Sequence, residues 1–151
     1  GDADPEYQKH CMDLIDSYQL TEHFRFMGKT DSVPKVLEDY DVLLMPTLAE
    51  EAFGRVIIEA MAMSMIVVAT DAYGPREIIE HETDGFLFER GNANALAGTI
   101  TMLESMDDSE LQAVAQAARK KVETKYEISL VKKRIEIIIE NVVQNNLNTQ
   151  K

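Results

Sequence analysis

Two short apolar runs, Val42-Leu-Leu-Met45 and Ile66-Val-Val-Ala69, bracket a stretch that reads as helix. Each run has the length of a strand and lacks the polar alternation of a half-solvated one, so each reads as a strand buried on both faces. Strand, helix, strand in that order is a βαβ unit, whose crossover makes the two strands parallel. The rest of the chain continues the alternation. Asp84-Gly85 is a turn before a strand at Phe86-Leu-Phe88. A helix starts at Pro75 and runs through Ile79, and Asn92 caps another that carries Leu96, Ile100 and Leu103. Helices over 109–125 and 128–146 follow, the second with a wide apolar stripe of Leu130, Val131, Ile135, Ile138, Ile139, Val142 and Val143. Such a stripe must cover something. Upstream, Pro5 opens a helix through Tyr7, Cys11, Leu14, Ile15 and Tyr18. A short strand at 23–27 ends at Gly28, and Asp31 or Ser32 caps a helix through Tyr40. The expected fold is α/β with a Rossmann-like, doubly wound parallel sheet over residues 1–144, then a polar tail at 145–151.

Between the two strands lies Glu51-Ala-Phe-Gly-Arg-Val-Ile-Ile-Glu59, with carboxylates eight positions apart around a helix start. The first belongs to a strand-to-helix loop and the second to the helix. In open parallel sheets ligands bind outside the carboxyl ends of the strands, and the N–H groups of a helical first turn there favour phosphate. Taken alone, Glu50, Glu51 and Glu59 say no more than that acids favour a helix start.

Composition narrows the partners. A net charge of −12 over 151 residues excludes the basic stripe that nucleic acid needs. No apolar run approaches the roughly 20 residues that span a bilayer. The single cysteine, Cys11, excludes an internal disulfide and suits a reducing cytoplasm. His10, His23 and His81 are scattered on polar stretches and read as solvated, not as metal ligands. The chain opens at Gly1-Asp-Ala-Asp-Pro5 with neither an initiator Met nor a targeting signal, which leaves open a processed product and a gene fragment.

In order, these segments resemble the C-terminal, donor-binding half of family 4 retaining GT-B glycosyltransferases (glycosyl transferases group 1). Gly1-Asp2 resembles the family's GDG, Phe24-Arg-Phe-Met-Gly28 its V-x-F-x-G strand, and Asp41 to Pro46 its AD-x4-PS strand. Glu51 to Glu59 matches E-x7-E, and Ala60-Met-Ala62 its usual continuation. Ile66 to Asp71 resembles PVVATD, Gly74-Pro-Arg-Glu-Ile78 resembles GPREI, and Asp84-Gly85-Phe86 a TG-x-L turn. E-x7-E alone is a weak pattern; five flanking blocks in order make it specific.

The resemblance implies transfer of a sugar from a UDP-, GDP- or ADP-sugar to an acceptor hydroxyl with retention of configuration. No metal or other cofactor is expected. Glu51 would bind hydroxyls of the donor sugar beside a developing oxocarbenium ion. Backbone N–H groups of Ala52, Phe53 and Gly54 would meet sugar hydroxyls, and those near Arg55 and Val56 the phosphates. Glu59 would accept both ribose hydroxyls, while Gly28 and Lys29 would hold the base.

The departures from the family pattern are specific. Ser64 and Ile66 stand where the family carries Gly and Pro, and Tyr73 replaces a glycine beside the donor pocket. The N-terminal acceptor domain, the first two strands of the donor domain and the family's Arg–Lys pair do not appear in these residues. With sheet order 3-2-1-4-5-6 the missing strands are central, so the reading expects an exposed edge that invites self-association and a chain inactive by itself. The alternative is a non-catalytic nucleotide-sugar-binding or interaction module of the same fold. An epimerase or phosphorylase on this fold is chemically close. A receiver-type signalling domain fails, because its phosphoacceptor strand ends in aspartate where Met45 stands.

Overall fold

The computed structural model describes residues 4–49 and 53–149, apart from the side chains of Arg134 and residues 141–149. The chain divides into two compact units, Gly1–Val36 and Leu37–Lys151.

In the first unit, α1 (Pro5–Ser17) starts as its sequence dictates. The Asp4 side chain accepts from the N–H of Glu6 at 3.0 Å, and Pro5 occupies the first turn, where its missing N–H costs nothing. A 3₁₀ turn at Thr21–His23 follows, and residues 24–30 are irregular. The strand expected at 23–27 is therefore absent. A strand exists by its ladder, and the described sheet has three strands, none of them here. The next helix, α2 (Val33–Leu37), is shorter than expected and stops before Tyr40.

The second unit holds a parallel sheet of β1 (Val42–Met45), β2 (Ile66–Thr70) and β3 (Phe86–Phe88), in that spatial order. Val42 lies opposite Ile66 and Met45 opposite Ala69; Val68 lies opposite Phe86 and Thr70 opposite Phe88. The crossovers are α3 (Arg55–Ala62) and α4 (Tyr73–Ile78). Three longer helices follow: α5 (Ala93–Ser105), α6 (Asp108–Lys125) and α7 (Ile128–Thr149). Helix α7 runs past Asn145, where the sequence suggests a tail. Alternate residues of β2 and β3, Ile66, Val68, Phe86 and Phe88, pack on Leu103, Val114 and Ala115 of α5 and α6. Asn92 caps α5 through Ala95 N–H, and Asp107 with Glu110 forms a reciprocal capping box on α6.

One strand departs from its apolar sequence. All five residues of β2 are buried, but Val42 and Leu44 of β1 are 39% and 44% exposed. The other edge strand of the described sheet, β3, has Phe86 and Phe88 buried against α5 and α6, so β1 lacks cover over its face, and an apolar run does not by itself secure burial. A groove of about 880 Å³ opens beside it, lined in part by Val42, Leu44, Met65, Ile66 and Leu111. The described part of the α7 stripe is likewise uncovered, with Ile135, Ile138 and Ile139 about half exposed.

The end of α3 shows what the family's glycine does there. Ser64 N–H donates to Met61 O at 3.0 Å and Met65 N–H to Ala60 O at 3.1 Å, a Schellman closure. That motif places Ser64 in the left-handed region, at φ 60°. The Cβ of Ser64 clashes locally in that conformation, so Ser64→Gly is expected to raise stability by about 1 kcal/mol, read as a higher urea midpoint at constant slope. A midpoint that falls would mean that the serine side chain is compensated locally. Ile66 in place of proline also has a consequence: its N–H donates to Asp41 O at 3.0 Å, a bond that proline has no proton to make.

Candidate active site at the carboxyl end of the sheet

The ends of β1 and β2 are tied together, since Thr70 Oγ1 donates to Met45 O at 3.3 Å. Beyond β1 the chain runs through Pro46 to Ala49; Glu50, Glu51 and Ala52 lie outside the described residues. It resumes at Phe53 and turns at Gly54, which has φ 79° and ψ 54° and forms the N-cap of α3. A residue with a Cβ is strained in that left-handed conformation, which explains a glycine there without reference to any ligand. Because α3 follows β1 in the chain, its N-terminal, positive end lies on the side of the sheet where the strands have their carboxyl ends.

Helix α3 divides its faces sharply. Ile57, Ala60 and Met61 are fully buried, while Arg55 and Glu59 share the outer side, one turn apart. They form an ion pair at 3.7 Å, with side chains 87% and 34% exposed. An exposed pair at that distance is worth little, so Glu59 is held in place without being consumed. Val56 is half-buried. Phe53, Gly54, Arg55, Val56 and Glu59 are thus contiguous in the second unit. Gly28 and Lys29 belong to the irregular stretch of the first unit, where Gly28 has φ 70° and open space around its Cα.

After β2, Arg76 grips the Asp71 carboxylate with two nitrogens, Nη2 to Oδ2 at 2.7 Å and Nε to Oδ1. That hydrogen-bonded guanidinium holds the Asp71 carboxyl below its ordinary range, and Asp71 raises Arg76 in turn. Tyr73, in the glycine's place, begins α4 with 77% exposure, and Gly74 beneath it is buried.

Three residues carry more than their sequence context suggests. His81, read as solvated, accepts the Leu87 N–H through Nδ1 at 3.0 Å and packs edge-on to Phe86. Asp84, read as a turn residue, is buried and ion-paired to Lys121 of α6; it also accepts from Glu80 N–H at 2.8 Å. Tyr126, at the end of α6, meets Phe53 ring edge to face and donates to the Glu77 carbonyl at 3.4 Å. The available signal for Lys121 was its place between Ala118 and Val122 on the buried side of α6. Among the described residues, no group of three or more His, Cys, Asp or Glu is placed to hold a metal ion. No helix among them is long and apolar enough to cross a membrane.

This geometry has close counterparts. The structure of HepE from Anabaena in complex with UDP is similar with a TM-score of 0.85 and 27% identity, over 90% of this chain and 37% of that one. The C-terminal domain of LpcC, a group 1 family glycosyl transferase from Francisella tularensis, is similar with a TM-score of 0.73 and 27% identity, over 85% of this chain and 66% of that domain. Among curated relatives, the phosphatidyl-myo-inositol mannosyltransferase of Mycobacterium leprae is 32% identical over 136 residues, 87% of this chain. The chain spans 35% of that relative's length. The fold is that of the nucleotide-sugar-binding GT-B glycosyltransferases, α/β with a parallel sheet flanked by helices. The family profile matches residues 1–121, and the chain belongs to glycosyl transferases group 1.

Proposed function

We propose that this chain is the donor-binding part of a retaining glycosyltransferase, which moves a sugar from a nucleoside diphosphate sugar to an acceptor hydroxyl. The observation that carries the reading is the N-terminus of α3, which follows β1 and carries Glu59 on its outer face, in a fold similar to that of a UDP complex. Glu59 accepts the two ribose hydroxyls, and the first turn of α3 at Arg55 and Val56 receives the diphosphate. Backbone groups of Ala52, Phe53 and Gly54 meet the sugar, and Glu51 orients it and stabilises positive charge at its anomeric carbon. Helix N-termini and basic side chains neutralise the leaving group in this reading, with no metal cofactor. The acceptor site and the family's Arg–Lys pair are not among these residues, so by themselves they are expected to bind donor without turning it over. The site works on the cytoplasmic side. In the described sheet β1 pairs along one edge only, which supports self-association of the isolated chain, because an unpaired strand edge is a template for another.

Calorimetric titration of the chain with UDP, GDP and ADP tests the reading. One of the three is expected to bind; binding by none would favour a non-catalytic module of the same fold. In the full-length protein, Glu51→Ala is expected to abolish transfer while leaving nucleoside diphosphate binding intact. Transfer within a few-fold of normal would remove Glu51 from the mechanism.

A further inference from the structure

We infer that Tyr126 is a positioning residue, which couples the start of α3 to α4 at the donor-side end of the sheet. The inference rests on the donor-binding reading and extends it to a residue distant in sequence. Tyr126 closes α6 by donating its backbone N–H to Val122 O at 2.9 Å. Its ring then meets Phe53 with centroids 6.3 Å apart at 69°, and its hydroxyl donates to Glu77 O at 3.4 Å. One side chain thus reaches both segments that leave the carboxyl ends of β1 and β2.

Both segments need such a hold. Phe53 is 42% exposed and directly precedes Gly54, a residue free to adopt either sign of φ. Burial alone does not fix that turn, and the edge-to-face ring pair selects one arrangement of it. Helix α4 has six residues, too few to persist on local hydrogen bonds. Its last turn is held from α6 twice, by Tyr126 on Glu77 O and by Lys121 Nζ on Ile78 O at 3.1 Å. Burial, with the nearby carboxylates of Glu77 and Asp84, pushes the Tyr126 phenol up. The hydroxyl therefore stays a donor across the neutral range.

The test uses the full-length protein with UDP as probe, in four variants: Tyr126→Leu, Tyr126→Phe, Phe53→Leu and the Leu/Leu double. Tyr126→Leu is expected to weaken UDP binding roughly three- to tenfold. It should also speed amide exchange at 53–57 and 73–78, with the melting temperature shifted by only a few degrees. Tyr126→Phe keeps the ring but loses the bond to Glu77 O, so it is expected to restore UDP affinity in part, with exchange normal at 53–57 and still raised at 73–78. The double variant is expected to bind no more weakly than Phe53→Leu alone, because the two residues act as one unit. Additive losses in the double would overturn the coupling, as would exchange that rises throughout the molecule along with a large melting shift. Nucleotide binding that Tyr126→Leu leaves unchanged overturns this inference alone; no binding of UDP by the unmodified protein, nor of GDP or ADP put in its place as probe, overturns it together with the donor-binding reading.

Discussion

Replacing Lys121 with methionine is expected to destabilise the second unit by about 3–5 kcal/mol, the usual cost of leaving one partner of a buried ion pair uncompensated. The Lys121 side chain is 14% exposed and that of Asp84 is 3%. Nζ binds both Asp84 Oδ2 and the Ile78 carbonyl, so its removal orphans a carboxylate and a helix-terminal acceptor together. Asp84 meanwhile keeps the Glu80 N–H, which fixes the turn before β3. Gly85, next in that turn, sits close against β2: an added Cβ would lie 3.1 Å from Val67 O. Adding Asp84→Asn to Lys121→Met is expected to recover a large part of the loss, because asparagine retains the acceptor for Glu80 without a buried charge. Urea unfolding at neutral pH measures both. A loss below about 1 kcal/mol in the single variant would mean that water screens the pair as it does on a surface.

Glu59→Ala in the full-length protein is expected to weaken nucleoside diphosphate binding by roughly 10- to 150-fold, the equivalent of about 1.5–3 kcal/mol for hydrogen bonds to a charged group. A carboxylate that accepts two vicinal hydroxyls makes both bonds charge-assisted. Among the described residues Glu59 is ion-paired to Arg55 at 3.7 Å, and that arginine is exposed and therefore easily exchanged for a ribose. The chemical specificity of the loss is the sharper readout. A 2′,3′-dideoxy nucleotide should bind the unmodified protein as weakly as the ordinary nucleotide binds Glu59→Ala. Removing the hydroxyls and the carboxylate together should cost no more than either alone. Independent, additive losses would place Glu59 away from the ribose.

Much of this was legible along the chain, and the reasons differ by element. Ile66 to Thr70 forms a strand because its apolar run is covered from every side. Val42 to Met45 has the same kind of sequence and forms a strand too, yet half its side chains stay exposed. Apolar composition reports a preference for burial, and neighbours in space decide whether it is met. Phe24 to Met27 makes the same point more strongly: β-prone residues without a ladder partner remain irregular. At the end of α3, local rules sufficed. A serine where the helix must close in the left-handed region was readable from the family pattern, and Ser64 adopts that conformation.

The sequence by itself determined the alternation of strand and helix, the glycine turn at Gly54 and the outer position of Glu59 one turn into α3. Each of these rests on interactions within a few residues, namely φ restriction, capping and helical periodicity. Only the tertiary structure decided that Lys121 would neutralise Asp84, and that Tyr126 would meet both Phe53 and Glu77. Those pairs join residues 37, 73 and 49 positions apart. Their formation depends on α6 lying against the sheet, and no local spacing in the chain encodes that packing.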